Sequence, residues 1–262
     1  MNVLLAVDEV GLAEELLQNL SLPDPSYVAV VAAAGGPASG DVRKRLKNVA
    51  ERQRRPGVEA STLTLTGDPA RSILKMAVEL PADLVVLGVS STGDQSGGLA
   101  ARLVQSCQCP VGIARTGRPI RNVVLAVNQI ETANRCLDFL SQFPWPKDGV
   151  TFTPVAVCGE PSKEALRREV LAEVSRRLED WTVRCQPRLE TGQATAAILK
   201  AASELGAELV VVGSRELSAP ARLFLGSVSG QVMSQAACNV LVVRGRVGVA
   251  LDQEDRPAEE LV

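Results

Sequence analysis

Gly213-Ser214-Arg215 and Gly226-Ser227-Val228-Ser229 are the residues of this chain whose types and spacing best fit a chemical task, and that task is holding an anion. Glycine at each rim lets backbone come close to a bound group. The free N–H groups at the start of a helix following Gly226 can hold phosphate, with the hydroxyls of Ser227 and Ser229 beside them. A glycine and two serines also make an ordinary helix cap, so these residues alone leave both readings open. Competing chemistries have less to build on. Histidine is absent, which removes Ser-His-Asp and Cys-His catalysis, His metal cages and imidazole acid–base work near neutral pH. No G-x4-G-K-(S/T) occurs, and no lysine lies between Gly213 and Ser229, so the usual phosphoryl-transfer loop is missing. Of the six cysteines only Cys107 and Cys109 lie close together. That C-x-C could bind a metal or report redox state, but no second pair completes the four ligands of zinc, so no metal site is expected and the cysteines are predicted to be reduced core thiols.

The elements that position the glycine–serine segment follow from the pattern around it. Leu209-Val210-Val211-Val212-Gly213 reads as a buried strand, and in open α/β sheets ligands sit beyond the carboxyl ends of strands. Four further strands are predicted in the same half, near Arg121 to Val127, Val150 to Val157, Thr182 to Glu190 and Asn239 to Arg244. Between them lie helical stretches, one from Pro161 to Trp181 with Leu166, Val170, Val174 and Leu178 on its buried face, and a short one from Gly230 to Ala236. Pro187 cannot donate to a ladder, which puts the third strand at or near a sheet edge. Strands alternating with helices predict βαβ units, and the Val-, Leu- and Ala-rich 46% apolar content with 3% aromatics suits strands covered on both faces.

The same layout occurs twice. At an offset of 125, residues 66–90 align without a gap with residues 191–215, and thirteen of the 25 positions are identical. Asn2 to Asp8 matches Asn122 to Asn128, and Cys109 to Arg115 tracks Cys238 to Arg244. The chain is therefore predicted to be two tandem doubly wound domains, each with a five-stranded parallel sheet, over residues 1–116 and 120–245. Thr116-Gly117-Arg118-Pro119 is a connector too short for independent tumbling, and residues 246–262 form an acidic tail predicted to be disordered. No signal peptide or membrane-spanning run is visible, so a cytoplasmic location is expected.

This layout and this loop resemble the universal stress protein family, an adenine-nucleotide-binding α/β fold whose ATP-binding members carry G-x2-G-x9-G-(S/T) after the fourth strand. Gly213 matches the first glycine, Glu216 stands in place of the second, and Gly226-Ser227 closes the motif. The resemblance implies that backbone around Gly213, Ser214, Arg215, Gly226, Ser227, Val228 and Ser229 holds phosphates and ribose, while Val127, Asn128 and Val157 face the adenine. Family members usually have Asp where Asn128 stands; an amide keeps an acceptor, loses the charge and adds a donor. A carboxylate at Glu216 about 5 Å from a phosphate charge would oppose it by roughly 3 kcal/mol at most, and Arg215 and Arg222 are the cations available to offset it. ATP, ADP, AMP and cyclic di-AMP remain open as ligands, with magnesium only as a companion of ATP.

In the first copy the equivalent loop runs from Gly88 to Gly97-Gly98, is four residues shorter and lacks the closing serine, whereas Asp8 keeps the family's usual acid. Asp8, Gly88, Gly97 and Gly98 thus mark a second site that is degenerate or differently occupied. The basic run Arg43, Lys44, Arg45, Lys47, Arg52, Arg54 and Arg55 reads as the solvated face of a helix, with an acidic partner or a membrane surface as the alternative, and without interleaved aromatics nucleic-acid binding is not expected. The formal charge of −2 selects no partner. The leading expectation is a non-catalytic stress-response or regulatory module that senses an adenine nucleotide through its second domain. It is either free-standing or the cytoplasmic part or partner of a membrane transporter such as a cation/proton antiporter. A structural or dimerising module and a slow ATPase are the alternatives. The resemblance also implies a homodimer through the last strand, Asn239 to Arg244, unless tandem fusion pairs that strand within one chain.

Overall fold

Short Val- and Leu-rich runs alternating with amphipathic stretches fold as parallel strands and covering helices in the computed structural model, which describes residues 1–7, 11–34, 39–89, 97–146, 149–181, 183–214 and 227–244. In the first copy β1 (Asn2–Ala6), β2 (Ser26–Ala34), β3 (Val58–Thr66), β4 (Leu84–Gly88) and β5 (Val111–Ala114) alternate with α1 (Leu12–Leu20), α2 (Gly40–Gln53), α3 (Pro69–Glu79) and α4 (Gly97–Ser106). The second copy has β6 (Asn122–Val127), α5 (Ile130–Leu140), β7 (Thr151–Cys158), a 3-10 turn (Pro161–Lys163), α6 (Glu164–Glu179), β8 (Arg184–Cys185) and β9 (Arg188–Thr191). It continues through α7 (Ala194–Glu204), β10 (Leu209–Gly213), α8 (Ser227–Gln235) and β11 (Asn239–Val243). Within each copy all strand pairs are parallel, in the order β3-β2-β1-β4-β5 and β11-β10-β6-β7-β8, with β9 also on β7. The side-chain period of two sends Val3 and Leu5 to one face and Leu4 to the other. One apolar core beneath α1, α2, α5 and α6 and a second beneath α3, α4, α7 and α8 therefore each run through both copies.

The two sheets join into one of eleven strands because β5 and β11 pair antiparallel, Ile113 opposite Val240 and Val111 opposite Val242. The last strand of the second copy is thus paired inside the chain, which closes an edge that would otherwise present unpaired N–H and C=O groups. Polar side chains fasten this seam from both ends. Fully buried Asn239 accepts the backbone N–H groups of Arg115 and Thr116 at 2.8 and 3.0 Å. Arg115 donates to the Met233 carbonyl at 2.5 Å, and Arg244, its counterpart in the repeat, donates back across the seam to the Cys107 carbonyl at 3.3 Å. The connector is pinned as well: Asn19 donates to the Arg118 carbonyl at 3.1 Å, and Arg118 pairs with buried Glu208 at 3.0 Å.

Duplication is visible in side-chain detail. Glu208 also accepts the backbone N–H groups of Arg121 and Asn122 at 3.0 and 2.9 Å, as Asp83 accepts that of Asn2 at 2.8 Å, so an acid before the fourth strand caps the start of the first strand in each copy. Arg52 clamps α2 to α1 through Glu14 at 2.6 and 2.7 Å. Its repeat partner Arg177 clamps α6 to α5 through Asn134 and Asp138 at 2.9 and 2.7 Å. In the first copy the carboxylate precedes the amide Gln18 by one turn, and in the second the order is reversed. Of the remaining basic run, Arg54 and Arg55 donate to the carbonyls of Ala60 and Leu22, and Lys47 faces Glu51 at 3.9 Å.

Three expectations need correction. The third strand of the second copy is not continuous over 182–190 but is split into β8 and β9 around Pro187, because proline supplies no N–H to the ladder on β7. Both pieces lie at the sheet edge. The helix beginning at Pro161 opens as a 3-10 turn, and α6 ends at Glu179. Leu166 is 52% exposed and Leu171 is buried in its stead beside Val170, Val174 and Leu178. A step of four residues overshoots a helical turn, so a row spaced by four rotates away from the core over three steps.

Candidate functional site

The carboxyl ends of β6, β7 and β10 meet the start of α8 in a cleft with about 790 Å³ of free space, part of it open to solvent. Ala126, Val127, Asn128 and Gln129 line it from the end of β6, Val157 from β7, Val212 and Gly213 from β10, and Ser227, Val228 and Ser229 from the first turn of α8. Thr132 of α5 and Ala194 and Ile198 of α7 complete the wall. Every side chain among these is uncharged. Val127, Val157, Val212 and Ile198 supply flat apolar surface, Asn128 and Gln129 supply amides, and the helix start supplies N–H groups and hydroxyls. No acid stands in the first turn of α8, so its positive end is not offset from within the helix. Such a lining suits a flat ring with a few polar edges joined to an anionic group. Among the described residues no group of three His, Cys, Asp or Glu side chains is placed to hold a metal ion.

Gly213 has a packing reason to lack a side chain. A Cβ built there would lie 2.2 Å from Thr132 Cγ2 and 3.2 Å from Cys136 Sγ. Glycine thus lets α5 close onto the end of β10 and form one wall of the cleft. Beneath it Cys136 is fully buried, and burial pushes its thiol up to about 12, so it serves as core.

Of the residues singled out in the second copy, Val127, Asn128, Val157, Gly213, Ser227, Val228 and Ser229 are brought together in the cleft. Ser214 is not among its lining residues. Its backbone N–H donates to the Val243 carbonyl at 2.9 Å and its hydroxyl lies 3.5 Å from the same oxygen, so this residue extends the β10–β11 ladder. The helix after the loop begins at Ser227 rather than Gly230, which makes the Ser-Val-Ser stretch its first turn instead of the loop before it. Arg215, Glu216, Arg222 and Gly226 lie outside the described residues, as do Asp8, residues 90–96 of the first-copy loop and the acidic tail 246–262. In the first copy Gly88 ends β4, and Gly97 and Gly98 open α4. The cavity at the carboxyl end of β1 faces the other way, between α1 and α2, with Val7, Glu14, Arg45 and Arg52 on its walls.

Arg167 of α6 was not foreshadowed by any motif. Its Nε donates to the Val157 carbonyl at 3.3 Å and its Nη1 to the Asn128 carbonyl, so one guanidinium ties together the two strand ends that carry the apolar wall. The repeat places Val42 at the equivalent position, where the side chain has no donor to offer.

Residues 6–115 and 126–244 match the sequence profile of the universal stress protein family. A universal stress protein of Thermus aquaticus is 42% identical over 91 residues, which cover 33% of this chain and 66% of that protein. One from Mycobacterium bovis is 26% identical over 203 residues, covering 66% of this chain and 68% of the relative. The fold is shared with a universal stress protein from Archaeoglobus fulgidus, at a TM-score of 0.67 and 18% identity over 93% of this chain and 96% of that one. It is also shared with the cytoplasmic domain of a prokaryotic cation chloride cotransporter, at 0.60 and 11% over 92% and 94%.

Proposed function

The chain belongs to the universal stress protein family, and we propose on that premise that its second copy binds an adenine nucleotide, without turning it over, while the first copy serves as a packing and regulatory partner. The observation that carries this reading is the cleft itself. Seven of the residues singled out in the sequence, drawn from three strand ends and one helix start, line a single space with an apolar side and an anion-favouring side. The base would lie against Val127 and Val157 with Asn128 at its edge, and the phosphates would face the first turn of α8. When bound, the nucleotide supplies the negative charge, and Ser227, Ser229 and the helix N–H groups supply the donors. An interaction of an anion with a helix start contributes about 0.3–1 kcal/mol when exposed and up to about 2 kcal/mol when partly buried. Magnesium would enter as the companion of ATP phosphates.

Non-catalytic action is favoured by the sequence, which holds no histidine and no G-x4-G-K-(S/T) loop to activate or transfer a phosphate. A regulatory role beside a transporter is supported by the fold shared with the cotransporter cytoplasmic domain, and no helix among the described residues is long and apolar enough to cross a membrane. Homodimer formation through the last strand is not part of the proposal, since β11 is already paired with β5.

The test is native mass spectrometry of freshly purified protein followed by calorimetric titration with ATP, ADP, AMP and cyclic di-AMP. At least one is expected to bind with Kd below millimolar, and Ala194→Trp, which fills the wall of the cleft, should weaken it on the order of tenfold or more. Absence of binding by all four, or binding untouched by the tryptophan, contradicts the proposal. Nucleotide release above a protein-free blank contradicts its non-catalytic part.

A further inference from the structure

Cys107 and Cys109 stand apart from the other cysteines. Their sulfur atoms lie 3.3 Å apart, close enough that one thiol hydrogen-bonds the other, although both side chains are buried. The turn that carries them follows α4, where the Cys107 N–H closes the helix on Leu103 at 2.7 Å, and leads through Pro110 into β5. Gln108 between them is exposed, so the turn reaches the surface even though its sulfurs point inward. Arg244 comes across the seam to donate to the Cys107 carbonyl. The thiol–thiol hydrogen bond and the nearby Arg244 charge lower the Cys107 thiol, while the same bond and burial raise that of Cys109. Two sulfurs already in hydrogen-bond contact, with a cation beside them, have the arrangement of an oxidisable dithiol.

The duplication supplies an internal control. At the offset that aligns Cys109 with Cys238, the partner of Cys107 is Ala236, so the second copy carries a single thiol at the same turn.

We propose that Cys107 and Cys109 form a redox site that closes to an intrachain disulfide in the presence of a small peroxide such as hydrogen peroxide. The Cys107 thiolate attacks one peroxide oxygen, forming an S–O bond as the O–O bond breaks, and the departing hydroxide takes up a proton to leave as water. Cys109 then attacks the Cys107 sulfur. The S–S bond forms, the S–O bond breaks, and the hydroxyl leaves as a second water with the Cys109 proton. Two thiols are oxidised and one peroxide is reduced to two waters. Closing the sulfurs from 3.3 Å to the bond length of about 2.05 Å tightens the turn that feeds β5, so the redox state is transmitted to the strand on which the two copies join.

The experiment exposes the full chain to a few equivalents of hydrogen peroxide, alkylates the remaining thiols and maps all six cysteines by mass. The expected result is a loss of two hydrogen masses reversed by dithiothreitol, a single peptide linked between Cys107 and Cys109, and loss of their alkylation on the order of tenfold faster than that of Cys238. In Cys109→Ser the same treatment should leave a dimedone-reactive sulfenic acid at Cys107. The wild-type map stands without the variant if that protein does not fold. Oxidation confined to Cys185, an interchain disulfide, or Cys107 and Cys109 still fully alkylatable when Cys238 has reacted each overturns the proposal.

Discussion

Replacing Gly213 by alanine tests whether the cleft is built by packing or merely tolerates a glycine. The added methyl would sit 2.2 Å from Thr132 Cγ2 and 3.2 Å from Cys136 Sγ, whereas carbon atoms pack at about 3.5–4.0 Å, so roughly 1.3 Å of movement is required. Neither side yields easily. β10 is held between β6 and β11 in parallel ladders, and Cys136 on α5 is fully buried. Overpacking of this kind costs about 1–3 kcal/mol, and the double constraint places Gly213→Ala near about 3 kcal/mol, on the order of a hundredfold in the unfolding equilibrium. Thr132→Ser removes the clashing methyl while keeping the hydroxyl that accepts from Arg135 at 3.2 Å. In a double-mutant cycle read by guanidinium denaturation, Gly213→Ala with Thr132→Ser should recover most of the loss, a coupling of about 2 kcal/mol. Stability of Gly213→Ala within about 0.5 kcal/mol of wild type, or no recovery in the double variant, refutes the packing account and leaves ligand approach as the reason for the glycine.

Asn239→Ala removes the acceptor for two half-buried N–H groups at the seam and should cost roughly 1–3 kcal/mol, with faster hydrogen exchange at the Arg115 and Thr116 amides; unchanged exchange there counts against the latch. Glu208→Gln should cost about 2 kcal/mol through loss of a charged acceptor shared by three donors, read by the same denaturation; a cost confined to high-salt-sensitive surface pairing would leave it near zero. Asp68 caps α3 and binds Arg102 at 2.6 and 2.8 Å, and hydrogen bonds from Arg102 and then the Arg71 N–H hold its carboxyl down to about 2. Because the folded value is depressed, this contribution is present above the ordinary carboxylate range and disappears as pH falls through that range toward about 2. NMR titration of the Asp68 carboxyl should show the low midpoint and Arg102→Gln should raise it, while an ordinary midpoint in the wild type contradicts the pairing.

Much of the fold was legible because the signals are local. Hydrophobic period, glycine and proline placement and the 125-residue self-match locate the strands, and Pro187 announces a sheet edge. The seam was harder to read: nothing in Asn239, Arg115 or Arg244 as residue types says that they cross between copies, since antiparallel pairing of β5 with β11 depends on tertiary placement. The site divides in the same way. Val127, Val157, Gly213 and Ser227 follow from strand ends and a helix start, which are sequence-local features. Ser214 departs because its N–H is taken by Val243, and Arg167 arrives from a helix forty residues beyond Val127. Leu166 shows the limit of counting by fours, where a small angular excess per step becomes a change of face.

Backbone amide shifts recorded while an adenine nucleotide is added to the isotope-labelled chain test the central claim most directly. The account predicts that the largest changes fall at Val127, Asn128, Val157, Gly213 and Ser227 to Ser229, with the β1 end and α4 start of the first copy unmoved. Changes centred on the first copy, or none at millimolar nucleotide, would contradict it.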